Sequence, residues 1–412
     1  MNILFVHQNF PAQFKFLAPE LARQGHNVVA LTLRQGVKQT ISGVKLYSYS
    51  VSRGSSENIH PWIADLETKV IRGEACLRAS LELKSSGFTP DLIIAHHGWG
   101  EPMFLKEVWP SSKLALYCEF YYNTSGFDFA FDSEFSSEST ESVCKLRLKN
   151  INNSLHFDIA DAGLSPTQFQ ANSFPQLFRS KISVIHDGID TIRIKPNPSV
   201  QLTLNESLVL TKRDEVITFV NRNLEPYRGF HIFMRSLPTV LRERPTAHVL
   251  IVGGDGVSYG AKPDSDFSWK QIFINEVRPH ISDSDWDRVH FLGNIPYNSF
   301  IGLLQLSTVH IYLTYPFVLS WSLLEAMSAG CSIIASDTDP VREVIEHDRT
   351  GILVDFFDHD ALSTEICSLL DNSSKRQEIS YNARNYAINT FDINKVCLPK
   401  QTSWVNSLLN LI

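Results

Sequence analysis

Apolar positions along the 412-residue chain fall into short runs that alternate with longer stretches of helical period. Asn2–His7 reads as a strand, because Ile3–Val6 is continuously apolar and bounded by polar residues. The polar loop Gln8–Gln13 follows. Phe14–Gln24 then carries Phe14, Leu17 and Leu21 at helical spacing and stops at Gly25. Asn27–Leu33 is the next strand, which completes a first βαβ unit. Leu46–Val51 is read as a third strand, Pro61–Ser86 as a long helix, and Asp91–Ala95 and Lys113–Cys118 as buried strands. The alternation stops over 123–142, where Phe127, Phe129 and Phe131 mix with Ser and acids at no clean period. A long loop or lid is expected there. Val143–His156 is expected to be one helix, followed by strands around Ala162–Leu164 and Ile182–Ile185. Lys195-Pro-Asn-Pro-Ser199, with two prolines and no apolar period, is the candidate linker.

Beyond the linker the alternation restarts. Strands are expected at Glu215–Val220, His248–Val252, Val289–Leu292, Val309–Tyr315, Ser332–Ala335 and Ile352–Val354. Helices are expected at Gly229–Arg244, Trp269–Ile281, Tyr297–Leu306, Trp321–Ala329, Asp360–Asp371 and Ser374–Thr390. Asp392–Ile412 reads as a last helix with no strand after it. The pattern predicts an α/β protein of two Rossmann-like, doubly wound parallel-sheet domains facing a central crevice, with ligand at the carboxyl ends of the strands. The domains are expected at 1–195 and 200–390, with 391–412 crossing back onto the first.

Composition narrows the class. Apolar residues at 43% and charged residues at 20% are ordinary for a soluble globular protein. No run of 18 apolar residues predicts a transmembrane helix. The N-terminus lacks the basic start and long apolar core of a signal peptide. Six cysteines without a CxxC pair fit reduced thiols, and the expected location is cytoplasmic. The net charge of −7 comes from an acidic excess after residue 200, and no basic stripe marks nucleic acid as a partner. Peripheral contact at the inner face of a membrane stays compatible with the chain.

The chemistry gathers at Val309–Gly330. A strand should end at Pro316, and Ser320 is placed to cap a helix running from Trp321 to Ala329. The first backbone N–H groups of such a helix suit an anion, and Glu325, one turn in, suits two hydroxyl donors such as a ribose diol. A nucleotide-diphosphate site and a core helix with one solvated acid are both consistent with that stretch alone.

Four stretches carry a wider pattern: Phe219-Val-Asn-Arg222 through Arg228-Gly-Phe, Ile251-Val-Gly-Gly-Asp255-Gly, Val289-His-Phe-Leu-Gly293-Asn-Ile-Pro, and Leu324-Glu325-Ala-Met-x-x-Gly330. Their order and spacing resemble the retaining glycosyltransferases of family 4 (group 1), which have the two-domain GT-B fold. The resemblance implies transfer of a sugar from a UDP- or GDP-sugar to an acceptor hydroxyl in glycan, glycolipid or glycoconjugate biosynthesis. It implies no cofactor and no metal, and partners limited to the nucleotide-sugar donor and a sugar, lipid-linked or protein acceptor. It places Arg222 and Arg228 on the donor diphosphate, and Val318, Leu319, Ser320 and Trp321 at the same group through backbone N–H. Leu324 and Glu325 fall to the ribose, Gly293, Asn294 and Ile295 to the base, and Asn9, Phe10 and Pro11 to the opposite wall. Physics independently favours arginine there, since a departing diphosphate gains charge that a planar guanidinium can pair in bidentate fashion.

The departures are specific. Phe317 stands eight residues before Glu325, where the family has another glutamate. Arg228 replaces the usual lysine, and Phe10-Pro11-Ala12 replaces a double glycine. Glu119 stands where many members have a histidine, while His96 and His97 follow the preceding strand. Glu119 and His97 are therefore added to the candidate catalytic residues. Two rival readings remain: a non-catalytic nucleotide-sugar-binding subunit, favoured by Phe317, and a sugar-nucleotide epimerase on the same fold.

Overall fold

The computed structural model of the chain describes residues 1–136, 138–205 and 208–410. It divides into two compact units. The first comprises Met1–Ala130, Ser137–Gly188 and Ile393–Ile412, the second Phe131–Ser136 and Ile189–Asp392.

Among the described residues the first unit holds an eight-stranded sheet. In chain order its strands are Asn2–Val6 (β1), Asn27–Thr32 (β2), Thr40–Ile41 (β3), Val44–Ser48 (β4), Leu92–His96 (β5), Lys113–Tyr117 (β6), Ala162–Ser165 (β7) and Ile182–Val184 (β8). They lie side by side as β3-β4-β2-β1-β5-β6-β7-β8. All pairings are parallel except β3 with β4. β1 is central, with Ile3 opposite Val28 on one side and Leu92 on the other. Helices cover both faces, so Ile3, Leu4, Phe5 and Val6 are all fully buried. Each such side chain contributes about 1.5–3 kcal/mol over an exposed one. The chain reverses its direction of growth at β1, which makes the carboxyl ends of β1 and β5 a topological switch point.

Local chemistry shifts several expected boundaries. The first helix begins at Leu17, after a 3-10 turn Ala12–Phe14, not at Phe14. That start puts Pro19 in the first helical turn, where its missing N–H breaks no bond. The expected helix 143–156 is two helices, Thr140–Lys149 and Ile151–Phe157. They part at Asn150, whose side-chain amide accepts the Tyr122 N–H (3.2 Å) and donates to the Tyr122 carbonyl (2.6 Å). The last expected helix is interrupted by a π-turn, Ile393–Cys397, before Leu398–Leu409. Trp404, Val405 and Leu409 of that final helix complete the core under Phe5, Phe14, Leu17 and Leu21.

The second unit opens with an unexpected antiparallel pair, Gln201–Asn205 (β9) and Leu208–Thr211 (β10). Its main sheet is built of Val216–Asn223 (β11), His248–Gly254 (β12), Val289–Gly293 (β13), Val309–Tyr312 (β14), Ser332–Ser336 (β15) and Ile352–Val354 (β16). The order is β13-β12-β11-β14-β15-β16, all parallel. Phe219 of β11 lies between Ile251 and Ile311. The switch point here is β11, flanked by β12 and β14. β14 ends at Tyr312, three residues short of the expected end, and the helix from Trp269 ends at Val277, two residues before Pro279.

Six residues of the stretch expected to be a loop or lid, Phe131–Ser136, count with the second unit. Phe131 packs against Tyr315, Phe356 and Phe357. Phe135 packs against His231, Trp269 and Phe273. Asp132, 2% exposed, accepts the Tyr315 hydroxyl at 2.8 Å. Among the described residues no helix is long and apolar enough to cross a membrane.

Candidate functional site

In the second unit a cavity of about 410 Å³ opens at the carboxyl ends of β11 and β12. β11 runs into Arg222 and Asn223. The chain then turns through Glu225 and the 3-10 turn Pro226–Arg228, and Gly229 starts the helix Phe230–Glu243. Gly229 has φ 68°, and a Cβ there would meet the Leu313 side chain at 2.3 Å. Only glycine lets this turn close so tightly against the segment after β14.

The turn delivers Arg228 to the cavity wall, 6% exposed. Its Nη1 donates to Thr314 Oγ1 (2.7 Å) and to the Val318 carbonyl (3.2 Å). The guanidinium lies over the rings of Tyr259 (5.0 Å) and Phe317 (5.9 Å). Among the described residues no carboxylate pairs with it. A buried cation without a counter-ion is costly, and an anion in the cavity would relieve that cost. Arg222 lines the same cavity from an exposed position.

The opposite edge is the helix Trp321–Ala329, entered through Ser320 in an extended conformation and closed by Gly330. The Ser320 side chain makes no capping bond, and its N–H donates to the Tyr312 hydroxyl at 2.9 Å. Ser320, Trp321 and Ser322 line the cavity at the helix start, where the dipole favours negative charge. Glu325 sits one turn on, 5% exposed, and accepts the Tyr297 hydroxyl at 2.5 Å. Burial, together with the Glu325 carboxylate, pushes the Tyr297 hydroxyl pKa above its usual value.

A third wall comes from the loop after β12. Glu225, 1% exposed, accepts the backbone N–H groups of Ser258 (3.0 Å), Gly260 (3.1 Å) and, more weakly, Tyr259 (3.4 Å). This holds Tyr259 against Tyr227, Phe317 and Arg228. Phe317 is thus an aromatic strut, 5% exposed, in the place where the resemblance implies a second carboxylate.

The structure brings Arg222, Arg228, Asn294, Ile295, Ser320, Trp321 and Glu325 to one cavity. Val318, Leu319, Leu324 and Gly293 are not part of its lining. Leu319 and Leu324 turn into the apolar core with Leu323 and Met327. Val318 acts through its carbonyl on Arg228, and Gly293, at φ 63°, turns the chain out of β13. Glu225, Tyr259 and Tyr297 were missed by sequence reasoning. A buried acid before a proline looks like a solvated one, and Tyr297 reads only as a helix start.

A separate polar nest lies at the carboxyl ends of β1, β5 and β6 in the first unit. His7 follows β1, His96 ends β5, and Glu119 stands two residues past β6. His96 Nδ1 accepts the Gly98 N–H (3.1 Å), which leaves Nε2 facing Glu119 Oε2 at 3.5 Å without a hydrogen bond. Gln13 Nε2 donates to Glu119 Oε1 at 3.3 Å. Burial works to raise the Glu119 carboxyl, but His96, with His97 and His7 behind it, holds it down at about 2. Burial, reinforced by His96, lowers His7 to about 3.

His97 is placed differently from its expected catalytic position. It is 1% exposed, with Nδ1 against Asn153 Oδ1 (2.9 Å) and Nε2 accepting the Phe120 N–H (3.3 Å). Both ring nitrogens are engaged inside the protein, so His96 is the histidine that faces Glu119. Phe10 likewise is core, 2% exposed beside Phe5, while Asn9 is exposed and donates its N–H to His7 Nδ1 (2.9 Å). Pro11 is half-buried before the 3-10 turn.

Known proteins match this chain in sequence and in fold. A model described as the glycosyl transferase family 4 group matches residues 24–194, and a glycosyl transferases group 1 model matches residues 201–386. A D-inositol 3-phosphate glycosyltransferase of Thermobispora bispora is 23% identical over 56% of this chain and 52% of its own length. Spore coat protein SA of Bacillus subtilis is 25% identical over 53% of this chain and 57% of its own. The chain thus spans about half the length of the curated relatives it matches. Among solved structures, sucrose-phosphate synthase of Thermosynechococcus elongatus superposes over all of both chains with a TM-score of 0.74 at 16% identity. HepE of Anabaena in complex with UDP superposes over 99% of this chain and 100% of its own, with a TM-score of 0.69 at 17% identity. Both similarities show the GT-B fold of two parallel-sheet, Rossmann-like domains. The chain belongs to the glycosyltransferases of family 4, the group 1 glycosyl transferases.

Proposed function

We propose that the protein is a retaining glycosyltransferase that moves a sugar from a UDP- or GDP-sugar to an acceptor hydroxyl. The observation that carries this reading is the Arg228 guanidinium, buried with no carboxylate partner among the described residues on a cavity that also holds a helix start and the Glu325 carboxylate. The donor diphosphate would take its place against Arg228, Arg222 and the start of helix 321–329, and the ribose hydroxyls against Glu325. The bond from the anomeric carbon to the leaving phosphate oxygen breaks while a bond to the acceptor oxygen forms on the same face. The acceptor proton passes to the departing diphosphate. Negative charge grows on the diphosphate in the transition state, so a fixed guanidinium stabilises that state more than the bound donor. Glu119, bonded by Gln13 and lying beside His96, is proposed to receive hydroxyls of the acceptor. The Anabaena structures hold UDP and UDP-glucose, and a Mycolicibacterium relative is named as GDP-mannose-dependent.

Release of nucleoside diphosphate, measured across UDP- and GDP-sugars with mixed acceptors, tests the proposal. Release that depends on both donor and acceptor, and falls in Arg228→Ala, is the expected result. Absence of turnover with every donor would defeat it. Phe317 supports a second reading, a nucleotide-sugar-binding subunit without its own transfer activity. The isolated chain would then bind nucleotide yet turn over only with a second protein.

A further inference from the structure

We infer that residues 131–136 form a strap that positions the aromatic wall of the cavity, with Asp132 as the positioning residue; this rests on the cavity being the donor site. The strap is built, not merely draped. Asp132 is 2% exposed, its Oδ1 accepts the Glu134 N–H (3.0 Å), and its Oδ2 accepts the Tyr315 hydroxyl (2.8 Å) and lies 3.2 Å from His231 Nε2. Glu134 meets Arg235 through both carboxylate oxygens, at 2.6 and 2.8 Å, and Arg235 also meets Glu276 at 2.6 Å. Phe131 and Phe135 flank these bonds with ring contacts at about 5 Å.

Tyr315 connects the strap to the site. Its ring packs on Tyr227 at 4.7 Å, and its backbone N–H donates to the Tyr227 carbonyl at 3.1 Å. Tyr227 in turn packs on Tyr259 and Phe317, the two rings beneath Arg228. Tyr315 also sits one residue after Thr314, which holds Arg228 directly. Without the Asp132 bond, the buried Tyr315 hydroxyl loses its acceptor and the ring its fixed place.

Asp132, Glu134 and His231 also bring ligand-type atoms within 4.8 Å of one another. Each carboxylate already has protein partners, though, and a cation there would have to displace Arg235 from Glu134. The chemistry therefore points to a clasp.

The test uses the full chain and titrates UDP and GDP into the wild type, Asp132→Ala, Asp132→Asn, Tyr315→Phe and the Asp132→Ala/Tyr315→Phe double variant. Amide hydrogen exchange over 314–321 is followed in parallel. The expected result is about tenfold weaker nucleotide binding in Asp132→Ala and Tyr315→Phe, no further loss in the double variant, and recovery in Asp132→Asn, whose amide oxygen still accepts the tyrosine hydroxyl. A role confined to stability would lower the melting temperature and leave the dissociation constant unchanged, which overturns the inference. Should the wild type bind neither nucleotide, the donor-site reading fails on its own. The exchange data then decide: faster exchange over 314–321 in Asp132→Ala supports the strap, and unchanged exchange overturns it.

Discussion

Replacing Glu225 by alanine should detach the loop that carries Tyr259. In the folded chain the carboxylate accepts two good backbone bonds, from Ser258 and Gly260, and one long one from Tyr259. Hydrogen bonds to a charged group contribute about 1.5–3 kcal/mol each, so the two good ones hold about 3–6 kcal/mol. Ordering three backbone residues costs about 1–2 kcal/mol apiece, a total of the same size. This one side chain thus offsets much of the ordering cost, beside the Asn223 bond to Ser258 Oγ (2.7 Å) and the Tyr259 ring contacts, and its removal tips the balance toward a disordered 258–260. Tyr259 then leaves the Arg228 guanidinium. A cation–π contact of this kind is worth about 0.5–2 kcal/mol, which corresponds to roughly 2- to 30-fold in nucleotide affinity. Glu225→Gln should lie between, because one amide oxygen can serve the Tyr259 and Gly260 side or the Ser258 side, but not both. Calorimetric titration with UDP and GDP gives the affinity, and hydrogen exchange at 258–260 gives the loop. Wild-type affinity together with wild-type exchange in Glu225→Ala would refute the reasoning.

Three further expectations follow from particular contacts. Arg228→Lys keeps a charge but loses the fork fixed by Thr314 and Val318; nucleoside diphosphate release should fall at least about tenfold, with Arg228→Ala nearer the 10²–10³-fold typical of a lost transition-state donor. Gly229→Ala adds a Cβ at 2.3 Å from Leu313 in a left-handed residue, and should destabilise the second unit by about 2–5 kcal/mol, read as a lower urea midpoint. His156, with neither ring nitrogen hydrogen-bonded, is lowered to about 3 by burial, with Lys69 adding to the effect. Below the ordinary histidine value near 6.5, the unfolded chain takes up a proton that the folded chain refuses. Stability is therefore full above pH 6.5 and drains as pH falls toward 3, by about 2 kcal/mol at pH 5 for this one residue. His156→Leu should lose less midpoint than wild type between pH 7 and 5, and equal losses would count against the assignment.

Strand positions were the most legible part of the sequence. Ile3–Val6 and Leu92–Ala95 are apolar on both faces because helices cover both sides of the sheet, and that leaves an uninterrupted run in the sequence. Helix boundaries were less so, since the ring nitrogens of Pro19 and Pro279 and the side-chain amide of Asn150 act through single groups that periodicity does not register. The pair β9 and β10 was missed although Gln201–Thr211 alternates, because the strands after the linker were expected to begin only at Glu215. In the cavity, the lining residues named in advance were Arg222, Arg228, Asn294, Ile295, Ser320, Trp321 and Glu325, which sit in loops after strands or in the first turns of a helix. Glu225 and Tyr297 were not, because their importance lies in what they hold, Ser258–Gly260 and Glu325, at separations of 28 residues or more. The histidine pair shows the limit plainly. Two adjacent residues at a strand end point in different directions, and only the partners Asn153 and Phe120 reveal that His97 is the structural one.

Neither half of the sequence contains everything its own unit is made of. The second unit includes Phe131–Ser136, far upstream of its main segment, and the first includes Ile393–Ile412, at the far end of the chain. A fragment cut at Gly188 would leave Phe5, Phe14 and Leu21 without Trp404, Val405 and Leu409 above them. A fragment beginning at Ile189 would leave Tyr315 and His231 without Asp132, and Phe356 without Phe131. During synthesis the first unit cannot complete its core until Trp404, Val405 and Leu409 have left the ribosome. The order of manufacture is therefore not the order of completion, and both units close late and in the same interval.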